Sequence, residues 1–157
     1  MRFRLICLGK TNFNFLNEGE NEYTNRLTHY CNFDRIDIPE LKNVKSLSLN
    51  EIKNKEGHLI LAKLRPTDHL ILLDENGNMY NSIEFSSFLE KKAIQGKSSI
   101  VFVIGGAFGF SPAVYERANE LVSLSKMTFS HQLIRIIFLE QLYRSFTILK
   151  GEKYHHN

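Results

Sequence analysis

Short runs of β-branched and other apolar residues recur at 3–8, 33–38, 69–73 and 99–104, with a weaker run at 121–124, and each pair is separated by a stretch of helical character. Runs of this length are typical of buried strands. Their alternation with helical segments predicts an α/β fold, a parallel sheet with helices on its faces. Ser48 with Glu51 and Asn81 with Glu84 have the spacing at which a cap side chain and a carboxylate three residues on satisfy each other's backbone N–H groups. Ser111 precedes Pro112, whose missing N–H is harmless at a first helical position. Helices are therefore expected near 13–30, 49–63, 82–95 and 112–120.

A last helix is expected from about 130 to 150, stopped by Gly151 in the left-handed conformation. Its apolar positions, among them Leu133, Ile134, Ile137, Phe138, Leu142, Phe146 and Leu149, cover more than one face. A helix touching only its own sheet needs a narrower stripe, so the pattern predicts burial against a second subunit; a central helix within one chain is the alternative.

With 157 residues and 43% apolar content the chain fits one domain with a proper core. Twenty Lys plus Arg against 17 Asp plus Glu give a net charge of +3, which permits phosphate contact without demanding it. The segment 39–48 reads as an exposed loop carrying Lys42 and Lys45. Cys7 and Cys31 match no redox or metal spacing and read as small buried hydrophobes, as expected in a reducing cytosol. No signal peptide or membrane-length apolar run is apparent, so a cytoplasmic protein without membrane contact is expected.

Gly105, Gly106 and Gly109 directly follow the apolar run 99–104, placing bare backbone at the carboxyl end of a strand, the edge of an open α/β sheet where ligands bind. The spacing is not that of a dinucleotide fingerprint or a phosphate loop, which leaves a pocket for an uncharged or cationic nucleoside, or a tight strand-to-helix turn. His131 and Arg135, one helical turn apart, are expected on the same polar edge. Glu140 and Arg144 have favourable i,i+4 polarity, either as a mutual ion pair or with Arg144 free to clamp a phosphate. His155 and His156 are adjacent, so they lack the spacing of a helical zinc pair, and no metal is expected.

Gly105-Gly106 with Gly109, the run 121–127, then Thr128-Phe129-Ser130-His131-Gln132, Glu140 to Arg144, and Gly151 to His155 together resemble the bacterial large-subunit rRNA pseudouridine N3-methyltransferases of the SPOUT class. The resemblance extends over essentially the whole chain. Ala107 and Ser130 stand where that family commonly has proline, which bears on loop rigidity.

The resemblance implies one domain over 1–157 whose C-terminal part is threaded into a trefoil knot, with 151–157 a tail that contributes to the active site. It implies S-adenosylmethionine as cofactor, held by Leu73, Gly105, Leu124, Ser125, Lys126, Met127, Thr128 and Phe129. The implied substrate is a pseudouridine in 23S rRNA of the assembled ribosome, and the implied assembly is a homodimer with composite sites. His155, Tyr154, Arg144 and His131 are the catalytic candidates, with His155 ranked above His131 as the base that removes the N3 proton. Tyr154 would stack on the extruded base and Arg144 would hold phosphate or a developing anion. The alternatives are a non-catalytic ribosome-binding protein that retains the fold, and a related methyltransferase acting on tRNA.

Overall fold

Five parallel strands, β1 (Arg2–Leu8), β2 (Asn32–Ile38), β3 (His69–Met79), β4 (Ser99–Ile104) and β5 (Glu120–Ser123), form one sheet in the order β2-β1-β4-β3-β5. The helices are α1 (Asn14–Leu27), α2 (Leu49–Leu61), α3 (Ser82–Ile94), α4 (Pro112–Arg117) and α5 (Leu133–Leu149). The structure, a computed structural model, describes residues 1–156. The expected α/β class holds, as do both capping boxes and the Ser111-Pro112 start.

Alternation along the strands divides the core in two. Phe3, Leu5 and Cys7 of β1, Ile71 of β3 and Ile100, Phe102 and Ile104 of β4 pack with α1, α3 and α5 on one face. Ile6, Leu8, Leu70, Leu72, Val101 and Val103 point to the other face, against Ile60 of α2 and Val114 of α4. Connections that step one way along the sheet run over the first face, and those that step back run over the second, so all four crossovers share one hand. This is the outcome expected where twisted strands feed helices that must pack back onto the sheet.

Several boundaries differ from expectation. β3 continues past Leu73 to Met79 through a bulge, and Val122 of β5 is opposed by both Leu73 and Asn78. Gly77 permits that bulge, because a Cβ there would lie 2.5 Å from the backbone of Leu121 and Val122. α5 starts at Leu133 rather than near 130, α1 ends at Leu27 and α4 at Arg117. Segment 39–48 is mostly exposed, with a short 3₁₀ turn at Val44–Ser46. Cys7 is fully buried and Cys31 half-buried.

The breadth of apolar surface on α5 has an internal explanation. The helix lies on the sheet between α1 and α3, and Phe138, Leu139, Leu142 and Tyr143 are buried there. Only Leu133 and Leu149 among its large apolar residues are exposed, so its pattern does not by itself require a second subunit. Arg135 also departs from expectation. Instead of lying on a polar edge beside His131, it is wholly buried and donates to the carbonyls of Leu8 (2.7 Å), Gly9 (3.0 Å) and His131 and to Thr11 Oγ1. Gln132 accepts from Asn12 N–H, so the start of α5 is bolted to the loop that leaves β1.

Candidate active site

β4 leads to α4 on the second face, whereas β3 and β5 lead to α3 and α5 on the first. Loops that diverge from adjacent strand ends leave a crevice between them. Here it is a cavity of about 580 Å³ walled by the bulge of β3 and the segments following β4 and β5, a volume within the roughly 300–1,000 Å³ of small-molecule sites. Leu73, Gly105, Leu124, Ser125, Met127, Thr128, Phe129 and His131 all line it. Lys126 is exposed on the same loop and does not.

Bare backbone at the glycine loop is enforced from behind. A Cβ on Gly105 would come 3.0 Å from the Phe110 ring, one on Gly106 would come 3.0 Å from the Glu56 carboxylate, and Gly109 has φ +82°. Ser123 Oγ donates to the Ser125 carbonyl and Ser125 Oγ accepts from Met127 N–H, which turns the second loop back over the cavity.

Residues not singled out in the sequence complete the walls. Asp74, the first residue past the apolar run 69–73, accepts from Tyr115 Oη through one oxygen and from Asn76 N–H through the other. That tie joins the β3 bulge to α4 across the cavity. Burial, with the Asp74 carboxylate next, pushes the Tyr115 phenol up to about 12, so it remains a donor at neutral pH. Glu56 Oε2 is the one buried side-chain nitrogen or oxygen among the described residues without a hydrogen-bond partner. Burial, and then the nearby Glu40 charge, raise that carboxyl above its ordinary range. Apolar walls at Leu73, Leu124 and Ile134, open main chain at Gly105 and Gly106, and the carboxylates of Asp74 and Glu75 suit a nucleoside bearing positive charge.

The tail makes a second cluster. Arg144 pairs with Glu140, its guanidinium lies 4.7 Å from the centre of the Tyr154 ring, and its Nη1 is 3.3 Å from His155 Nδ1. Tyr154 Oη donates to Glu140 Oε1 at 3.0 Å and lies 3.5 Å from Tyr23 Oη. Burial, followed by the hydrogen bonds with Tyr23 and Glu140, raises the Tyr154 phenol well above its usual range. The hydrogen bond to Glu140 raises Arg144 in turn. The structure thus gathers Arg144, Tyr154 and His155 in one place and His131 with the cofactor candidates in another. Ile134 on the cavity wall and Arg144 are ten residues apart on α5, about 15 Å. The tail as read from sequence runs on to Asn157, which lies outside the described residues.

The family model described as "Predicted SPOUT methyltransferase" matches residues 1–155. The chain belongs to the SPOUT methyltransferase family. It is 55% identical over 156 residues to a protein of Parabacteroides distasonis named ribosomal RNA large subunit methyltransferase H, covering 99% of each chain. Proteins of the same name from Flavobacterium johnsoniae and Cytophaga hutchinsonii are 54% and 52% identical, the first with 99% of each chain covered and the second with 99% of this chain and 100% of the relative. In this SPOUT chain no described helix is long and apolar enough to cross a membrane. No group of three or more His, Cys, Asp or Glu among the described residues is arranged to hold a metal ion.

Proposed function

We propose that this chain transfers a methyl group from S-adenosylmethionine to N3 of a pseudouridine in 23S rRNA of the assembled ribosome, acting in the cytoplasm as a homodimer. The observation that carries the reading is the cavity at the ends of β3, β4 and β5, bare of side chains at Gly105 and Gly106 and edged by carboxylates, in a SPOUT chain whose relatives are named for large-subunit rRNA. Leu73, Gly105, Leu124, Ser125, Met127, Thr128 and Phe129 would hold the cofactor, which when bound supplies an electrophilic methyl group on a sulfonium. The chain passage that sets 124–129 beside 105–109 is read as the trefoil threading of the family.

Methyl transfer needs the acceptor nitrogen held in line, so much of the rate comes from orientation. N3 of pseudouridine also carries an imide proton that must leave. Arg144 has only N–H donors to offer, so His155 accepts at Nδ1, and the neutral ring then carries its proton on Nε2. In that tautomer His155 donates a hydrogen bond to an oxygen beside N3 and stabilises the anion as it forms. To serve as base at Nδ1 it would first have to release Arg144. His131, on the cavity wall, is therefore the better proton acceptor, the reverse of the ranking drawn from the sequence. Tyr154 packs against the base. Because the tail and the cavity lie at different points along α5, a complete site uses the tail of a second copy, which is the ground for the homodimer.

The test is labelled methyl incorporation measured side by side on assembled ribosomes lacking the modification, on free rRNA and on tRNA. Incorporation into ribosomes is expected. Label in tRNA alone would make it a tRNA enzyme, and no incorporation together with no cofactor binding would make it a non-catalytic ribosome-binding protein.

A further inference from the structure

In this parallel sheet each strand ends close to where its following helix begins, so the N-termini of the helices gather at the edge that holds the cavity. Those ends carry partial positive charge. β1 runs into Lys10 at this edge, and β2 into the 39–48 segment with Lys42 and Lys45. All three lysines are exposed and none joins an ion pair among the described residues.

Two of the three carboxylates of the same region, Glu51 and Glu56, are held by their own surroundings, and the third, Glu40, is exposed. Glu40 lies against Gly9, where a Cβ would come 2.6 Å from its Oε1. Glu51 closes the capping box with Ser48, and Glu56 is held under Gly106. Within 40–56, Glu51 is held in its capping box and one oxygen of Glu56 is buried, Glu40 is exposed without an ion pair, and Lys42 and Lys45 are unpaired among the described residues.

We propose that Lys10, Lys42 and Lys45 form an RNA-phosphate contact surface that seats the substrate strand across the ends of β2 and β1 and feeds the target nucleotide to the cavity. The proposal rests on the rRNA methyltransferase reading above. β2 and β4 are two strand spacings apart, about 10 Å, so a strand held by these lysines has its next nucleotides over the glycine loop. Such contacts position RNA without reading its sequence, which suits a protein of modest net charge.

Lys42→Gln/Lys45→Gln is compared with Lys91→Gln/Lys97→Gln, which removes the same charge near the C-terminal end of α3 and the start of β4. Binding to unmodified ribosomes and to protein-free 23S rRNA is measured across a salt series, and S-adenosylmethionine affinity is measured by calorimetry. The first variant should bind both RNAs about tenfold more weakly, with the salt slope reduced by about 1.5 for two lost phosphate contacts, and with cofactor affinity unchanged. The second should match wild type. Equal loss in both variants, no loss in the first, or loss on ribosomes but not on free rRNA (docking on a ribosomal protein) would each overturn the surface. Wild type that neither binds the cofactor nor methylates RNA would reject the underlying function, and the surface with it.

Discussion

Arg144 donates to Nδ1 of His155 across 3.3 Å while its own partner Glu140 also accepts from Tyr154, so one ion pair on α5 orders both aromatic groups of the tail. Truncation after Lys153 should abolish methyl transfer and leave S-adenosylmethionine affinity within about twofold, because no cavity residue is lost. Arg144→Gln should lower kcat by at least about tenfold and alter the ¹⁵N shifts of the His155 ring as the tautomer is released. Full turnover by the truncated chain would remove the tail from the mechanism.

Arg135 is buried and supplies donors to two carbonyls at the end of β1 and to Thr11. Arg135→Met keeps much of the side-chain volume but strands those acceptors. It should cost roughly 3–5 kcal/mol in denaturant unfolding, the range for breaking buried charged networks. A loss below about 1 kcal/mol would show that the carbonyls find other donors.

Tyr115→Phe removes the one hydroxyl that ties α4 to Asp74 across the cavity. Cofactor affinity should fall about 5- to 30-fold with little change in Tm, since an unpaired carboxylate oxygen next to the ligand costs about 1–2 kcal/mol. Calorimetry on the variant reads this directly, and unchanged affinity would make the tie incidental.

Asp68 is buried beside Arg4. Burial raises its carboxyl, but hydrogen bonds from Arg65 N–H and Ser99, with the Arg4 charge, more than reverse this and leave it below the ordinary value. A depressed carboxyl contributes stability that is complete above its unfolded value, roughly 3.9, and is lost as pH falls through the folded one. Asp68→Asn should therefore lower stability at pH 7 and flatten the acid limb of the stability curve. An acid limb as steep as wild type would place the titration elsewhere.

Helix starts were legible because they are local: Ser48 and Asn81 meet carboxylates three residues away, and the structure contains both reciprocal bonds. The β4 strand was legible because the five consecutive apolar residues Ile100 to Ile104 leave few other solutions. The run of β3 beyond Leu73 was not, since Asp74 to Asn78 is polar and becomes strand only by pairing with β5 around Gly77. The breadth of the α5 apolar surface was legible, but its cause was not: helix–helix packing on both flanks looks the same in sequence as a subunit interface.

The sequence by itself determined the order of strands and helices, the glycine loop, and that this loop sits at a strand end, because each depends on residues within a few positions of one another. Only the tertiary structure decided that Arg135 serves the end of β1, 127 positions away from Leu8, that Glu56 is stranded beneath Gly106, and that the tail groups stand apart from the cavity along α5. Those outcomes depend on which distant segments are packed together and on where burial leaves a polar group its partners, and no local pattern encodes either.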